Sequence, residues 1–213
     1  GFPFGDYFYT GSTVGEELYI SNIPFMDSLS FSFLLFASYS LALAFVLPPA
    51  SPRNGDIAWS FDPSVRISWP IVCLTVLFFT FSDIVIDPVA LQGDRWFLGQ
   101  IYGYPHQGIY FGVPLANFAG WAVVGSLSML GYRWMEQTWY AHHPVPRSVV
   151  KWEVLWGIGL YYGVLVFNLG VTFWIGELLM GVAGCLIFIP VTALLIIRWW
   201  TIRGNCRKMS LNS

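Results

Sequence analysis

Charge is scarce in this chain. Of 213 residues, 10 are Lys or Arg and 12 are Asp or Glu, a charged fraction of 10%, where a soluble domain carries about 25%. So little charge cannot clothe a water-facing surface. It also excludes a disordered chain, which stays unfolded because it is polar and charged. The net charge of -2 supplies no basic field, which excludes nucleic acid as a partner. Cysteine is equally sparse. Cys73, Cys185 and Cys206 form no CxxC pair; two lie within apolar runs and the third in a basic tail. That argues against a disulfide framework or a structural zinc site. Three histidines, His106, His142 and His143, are too few for a histidine-rich diiron centre, and no His/Asp/Glu spacing of a metal site occurs. A Gly-rich phosphate loop and a nucleophile elbow are absent. The residues thus assign no metal and no cofactor. The chain opens on Gly1 with an aromatic, glycine-rich stretch rather than an apolar leader, so we expect it to begin partway into a longer product.

What is present is apolar: 56% hydrophobic and 19% aromatic residues, with a mean hydropathy of +0.61. Five runs, 28–47, 67–89, 109–132, 154–171 and 174–199, are long enough to cross the hydrocarbon core, which takes about 20 helical residues. They lack the alternation of a membrane barrel. The expected fold is therefore all-α, a polytopic transmembrane bundle of about five spanning helices in one domain covering 1–213. Residues 1–27 form an entry loop, 28–200 the bundle and 201–213 a basic tail. Pro48-Pro49 and the SPRNGD turn close the first span, because proline lacks the amide donor and disfavours helix before it. The last two spans, joined by a short turn near Thr172, should form an antiparallel hairpin.

Orientation follows from the cations. With the C-terminal tail in the cytoplasm, Arg53, Arg66, Arg133, Arg147, Lys151, Arg198, Arg203, Arg207 and Lys208 share that side and only Arg95 is opposite, as the positive-inside rule favours. The acids sort the other way. Asp6, Glu16, Glu17, Asp83, Asp87, Asp94 and Glu177 fall towards the non-cytoplasmic end, with Asn117 and Asn168 in the same leaflet. Charges in hydrocarbon are costly, so such groups face a protein interior or a cavity.

Asp83 and Asp87 are four residues apart, hence on one helix face. Two carboxylates in poorly hydrated surroundings repel when both are ionised, so one of them holds a proton at neutral pH. A proton donor then lies beside a carboxylate able to activate water. The competing reading is that Asp87, before Pro88, ends the helix while Asp83 pairs with a neighbour. The following segment carries Trp96, Tyr102, Tyr104, Tyr110, Phe111, Phe118 and Trp121. Their rings suit a cation or a flat apolar ligand, or an interfacial belt. Gly108, Gly112, Ala116 and Gly120 recur every fourth residue, as in close helix packing or a slot for a thin, rigid ligand; Gly159 and Gly163 make a weaker pair. Asn117 either orients a water or an acid, or cross-links two helices. Glu177 suits a helix N-terminus.

The blocks GFPFGDYFYT, VGEELYISNIP, SDIVIDPVA, YFGVPLANFAGW and YRWME resemble the carotenoid biosynthesis membrane family that includes the CruF-type carotenoid 1,2-hydratases and the archaeal bisanhydrobacterioruberin hydratases. The resemblance runs from Gly1 to about Glu136, and members carry additional N-terminal helices. It implies addition of water across the terminal 1,2 double bond of an acyclic carotenoid, giving a tertiary alcohol with no redox cofactor. For such a reaction the chemistry of the residues makes Asp83 or Asp87 the acid, the other holding water, and has Asn117 orient the water. Trp96, Tyr102, Tyr110 and Trp121 face the cation, and Gly112, Phe118 and Gly120 line a slot for the polyene. The expected partners are membrane lipids and the carotenoid. The alternative is a non-catalytic subunit that binds carotenoid or assembles in a larger membrane complex, such as a photosynthetic one.

Overall fold

A computed structural model describes residues 7–50, 58–140, 148–150 and 152–211. The SPRNGD turn, the His142–His143 turn, Asp6, Arg53, Arg147 and Lys151 lie outside the described residues, as do the side chains of Cys206, Arg207 and Lys208. Short strands β1 (Phe8–Tyr9), β2 (Tyr19–Ile20) and β3 (Ile23–Pro24) lead into helix α1 (Phe25–Val46). Strands β4 (Pro49–Ala50) and β5 (Ala58–Phe61), the short helix α2 (Pro63–Arg66) and the long helix α3 (Trp69–Ala90) follow. After β6 (Tyr102–Gly103) come α4 (Leu115–Tyr140), β7 (Ser148–Val150), α5 (Trp152–Trp174) and α6 (Leu178–Leu211).

The strands only fasten the ends of the helices. Antiparallel β1–β6 and the β2–β3 hairpin lie at one end, and the β4–β5–β7 sheet at the other. Helix α3 is central, packing on α1, α4, α5 and α6, while α1 also packs on α5. The core between them is apolar, with Leu41, Phe78, Phe79, Val154 and Tyr161 buried. Large apolar side chains such as Phe36, Val166, Ile189 and Ile197 point outward, as lipid-facing surfaces do. Helices α1, α3, α5 and α6 are each long and apolar enough to cross a membrane. The chain is an all-α integral membrane bundle, with α4 as a fifth long helix beside α3.

Helix boundaries differ from the hydropathy reading in three places. The third span does not start at Ile109. Residues 108–113 fold into a tight turn bridged by Gly108–Gly112 and Tyr110–Val113, with Phe111 at φ 49° and Gly112 at φ 90°. A side chain at Gly108 would run into the Val113–Pro114 backbone. Hydropathy sees only apolar residues here, but positive φ excludes helix, so α4 begins at Leu115. Gly108 and Gly112 are thus not on one helical ridge with Gly120. The hairpin turn lies at Gly176 (φ 86°) rather than near Thr172. Gly176 N donates to Phe173 O and Glu177 N to Thr172 O, each at 3.1 Å, a left-handed glycine stop. Glu177 therefore precedes α6 instead of lying one turn into it. Finally, α6 continues through residues assigned to the tail, to Leu211.

Close approaches at glycine help to set the packing. A Cβ on Gly125 in α4 would stand 2.9 Å from the Phe79 ring of α3, and one on Gly157 in α5 would overlap the Ser40 side chain of α1. At the end bearing the β4–β5–β7 sheet, Arg66 and Glu136 form a buried ion pair between α2 and α4. Gly157→Ala should lower the unfolding midpoint in detergent by the equivalent of about 1–3 kcal/mol, the usual penalty of overpacking. Ser40→Gly in the same chain should recover much of it. An unshifted midpoint for Gly157→Ala would contradict the α1–α5 contact.

Candidate functional site: a buried carboxyl pair at a cavity

The last two turns of α3 carry Asp83 and Asp87, 0% and 4% exposed. Their four-residue spacing puts both on the face that meets α4. Pro88 does not end the helix; it runs on to Ala90. Across from them Asn117, in the first turn of α4, donates Nδ2 to Asp83 Oδ2 at 2.8 Å and to Asp87 Oδ2 at 2.7 Å. One amide therefore ties both carboxyls. Asp87 receives two more donors from the α3–α4 loop. Tyr102 donates to Oδ1, and Tyr104 donates to Oδ2 at 2.6 Å. Burial, then the neighbouring Asp87 charge, hold both phenols above their ordinary range, so they remain protonated donors. Asp83 Oδ1 has no protein partner.

A cavity of about 840 Å³ opens beside Asp87, between α1, α5 and the loops at this end. Asp27, Ser30 and Leu34 of α1, Gly159, Gly163 and Asn168 of α5, and Trp96, Ile101 and Tyr102 of the loop belong to its wall. Trp121 also lines it, stacked on Phe31 at 4.4 Å and 16°. The loop is fastened here because Arg95 donates to Glu177 Oε1 at 2.8 Å and to the Ile175 carbonyl.

Of the residues singled out from sequence, Asp83, Asp87, Asn117 and Tyr102 meet in one hydrogen-bonded cluster, and Asp87, Trp96, Tyr102 and Trp121 line the cavity. Asp83 and Asn117 stand behind Asp87, outside the lining. The other four are elsewhere. Tyr110 meets Phe118 edge-on at 5.7 Å, Gly112 is in the turn before α4, Gly120 is buried in α4, and none of the four lines the cavity. Small residues do border it, but they are Gly159 and Gly163, where an added Cβ would meet nothing within 4 Å.

Asp27 went unnoticed in the sequence. It lies in the first turn of α1 and accepts from Tyr9 at 2.6 Å; burial and this carboxyl hold Tyr9 above its ordinary range. An acid at a helix start is common, and nothing local links it to a tyrosine 18 residues earlier. Among the described residues no three His, Cys, Asp or Glu side chains gather as a metal-ligand set.

Residues 1–191 match the profile of the family described as carotenoid biosynthesis protein. The chain belongs to this family. The match extends past the segment on which the resemblance rested, through α5 and into α6. The chain is also similar to the bisanhydrobacterioruberin hydratase of Haloarcula japonica, with 29% identity over 130 residues, 61% of this chain. That stretch covers 36% of the relative's length. No solved structure matches.

Asn117→Leu removes the one donor common to both carboxyls. The unfolding midpoint should fall by the equivalent of about 1–3 kcal/mol, as when buried acceptors lose their partner, and Asp83→Leu in the same chain should reverse part of the loss. No change in Asn117→Leu would mean that the two carboxyls do not depend on the amide.

Proposed function

We propose that the chain is a carotenoid hydratase that adds water to the terminal 1,2 double bond of an acyclic carotenoid. The observation that carries this reading is Asp87: a buried carboxyl supported by three donors, at the wall of a largely apolar cavity, in a carotenoid biosynthesis family chain. The relative in Haloarcula japonica is named a hydratase, which points the same way.

The chemistry suits these groups. Asp87, protonated on Oδ1, the oxygen that accepts only from Tyr102, gives that proton to C2 of the alkene, and the π electrons form the new C–H bond. A tertiary cation is left at C1. The charge arriving on Asp87 is taken up by hydrogen bonds from Tyr102, Tyr104 and Asn117, a preformed cradle of the kind that stabilises developing charge. The rings of Trp96 and Trp121 offer faces to the cation. Water then bonds to C1 through an oxygen lone pair and returns one proton to Asp87. The sum is alkene plus water giving alcohol, with the acid restored, which is lyase chemistry without any redox step. Asp83 and Asn117 act as positioning residues behind Asp87.

The polyene suits the seam between α1 and α5. Phe33, Leu160 and Phe167 border the cavity and are also exposed on the lipid-facing surface, so the slot opens sideways to the bilayer. In the orientation favoured by the basic residues, the C-terminal tail is cytoplasmic and the carboxyl pair lies towards the opposite face.

Membranes containing an acyclic carotenoid such as lycopene should yield a product heavier by one water. Asp87→Asn should lower that yield by about 100-fold or more, the usual contribution of a general acid, at an unchanged protein level; Asp83→Asn should lower it less. Two fully active variants would remove the acid assignment. Pigment retained without any conversion would instead favour a carotenoid-binding subunit. Gly163→Phe fills the slot at a position with open space, so it should abolish conversion while leaving the unfolding midpoint within about 1 kcal/mol equivalent of the parent, the ordinary range for substitutions that meet no clash. Full conversion by Gly163→Phe would exclude this slot as the polyene site.

A further inference from the structure

A second carboxyl, Asp27, lines the same cavity as Asp87 and has no part in the chemistry so far. The entry loop fixes the two relative to each other. Tyr9 of β1 and Tyr102 of β6 are direct cross-strand partners, so their side chains leave the same face of the two-stranded sheet with Cβ atoms about 5 Å apart. Tyr9 donates to Asp27 Oδ2 at 2.6 Å, and Tyr102 donates to Asp87 Oδ1. One pair of neighbouring phenols therefore holds both carboxyls, from α1 and α3, at the same end of one cavity. They are close enough that the charge of Asp27 acts on Asp87. Asp27 is also open to the cavity. It is partly exposed, whereas Asp83 is fully buried behind Asp87. The wall continues from it into the entry loop with Thr13, Glu17 and the exposed Glu16, a polar edge distinct from the apolar seam between α1 and α5. Glu17 is already engaged there, Oε1 accepting from Thr13 at 2.6 Å and Oε2 from Met26 N at 3.2 Å. Among the described residues only Tyr9 donates to the Asp27 carboxyl, and it takes Oδ2. The Ser30 hydroxyl goes to the Asp27 carbonyl instead. Oδ1 is left as an acceptor on the wall.

We propose that Asp27 holds the water molecule that is added to the substrate, a role that rests on the hydratase reading. Water enters along the polar edge at Glu16 and Glu17, while the polyene enters through the apolar seam, so the two reactants reach the reacting end from different sides. The water donates one O–H to Asp27 Oδ1 and keeps both lone pairs of its oxygen. When Asp87 has protonated C2, one lone pair forms the C1–O bond. The second O–H gives its proton to Asp87, and the O–H on Asp27 remains as the hydroxyl of the product. Asp27 takes no part in the first proton transfer. It decides what becomes of the cation, which is captured if water is in place and otherwise loses a proton again to give back an alkene.

This separation makes the role measurable. Membranes bearing the chain are supplied with lycopene in heavy water, and two quantities are read: hydrated product, and deuterium at C2 of the remaining alkene. Asp27→Leu should lower the hydrated product about tenfold or more, the worth of one hydrogen bond to a charged group. Deuterium at C2 should not fall below the parent's, because the cation still forms and reverts. Asp27→Asn keeps an acceptor oxygen and should recover much of the product. Tyr9→Phe cuts the tie between β1 and α1 but leaves the carboxylate, so it should lose much less than Asp27→Leu. Equal losses in Tyr9→Phe and Asp27→Leu would reduce Asp27 to a tether of the loop. That result, parental hydration by Asp27→Leu, no recovery in Asp27→Asn, or deuterium falling in step with product would each overturn the water-holding role while the parent's hydration stands. A parent chain that gives neither product nor deuterium would overturn the hydratase reading itself, and this role with it.

Discussion

Two carboxyl groups on one face of a membrane helix cannot be left to hydrocarbon, and much of this end of the molecule answers that demand. Asp83 and Asp87 share the Asn117 amide, which fixes the start of α4 against the end of α3. Tyr102 and Tyr104 reach Asp87 from the connecting loop, and β6, which contains Tyr102, is paired with β1. Tyr9 of β1 in turn donates to Asp27 at the head of α1. A single chain of polar contacts therefore runs from α4 through α3 and the loop strands to α1. It holds the roof of the cavity in register with the helices that form its sides.

The rest of the bundle is fastened differently. Towards the other end, glycine does the spacing: α1 and α5 touch at Ser40 and Gly157. From there the two helices leave room, and the cavity is bordered by Gly159 and Gly163, four apart on an α5 face turned away from Gly157. Close contact at one level and open space two residues on belong to one helix with no large side chain at either place. The cavity is polar where Asp87, Tyr102 and Asn168 meet it and again along Asp27, Ser30 and the entry-loop residues Thr13, Glu16 and Glu17, and is otherwise lined mainly by apolar side chains. That combination suits a long apolar substrate with one reacting end.

The sequence already displayed the long helices, since runs of apolar residues without charge have few alternatives. It also displayed the carboxyl pair, because a spacing of four is a local property. What failed were features decided by backbone dihedrals or by contacts distant in the chain. The Gly108–Val113 turn contains the same apolar residues as a helix and differs only in φ, so the expected glycine ridge dissolved at Gly112. Asp27 needed its partner Tyr9 to stand out. The cavity needed knowledge of which helices are neighbours: α4 packs on α3, whereas α1 faces α5. That pairing moved the small-residue slot from the third span to Gly159 and Gly163. Trp96, Tyr102 and Trp121 line the cavity, whereas Tyr110 and Phe118 share that aromatic composition and pack edge-on against each other instead.

The central claim is that the oxygen added to the carotenoid comes from water through acid chemistry at Asp87. The most direct measurement is the origin of that oxygen. Membranes bearing the chain, supplied with an acyclic carotenoid in water enriched in heavy oxygen, should give an alcohol that carries the label at the enrichment of the solvent, and Asp87→Asn should give almost none. An alcohol without the label, its oxygen drawn instead from dissolved dioxygen, would contradict the account.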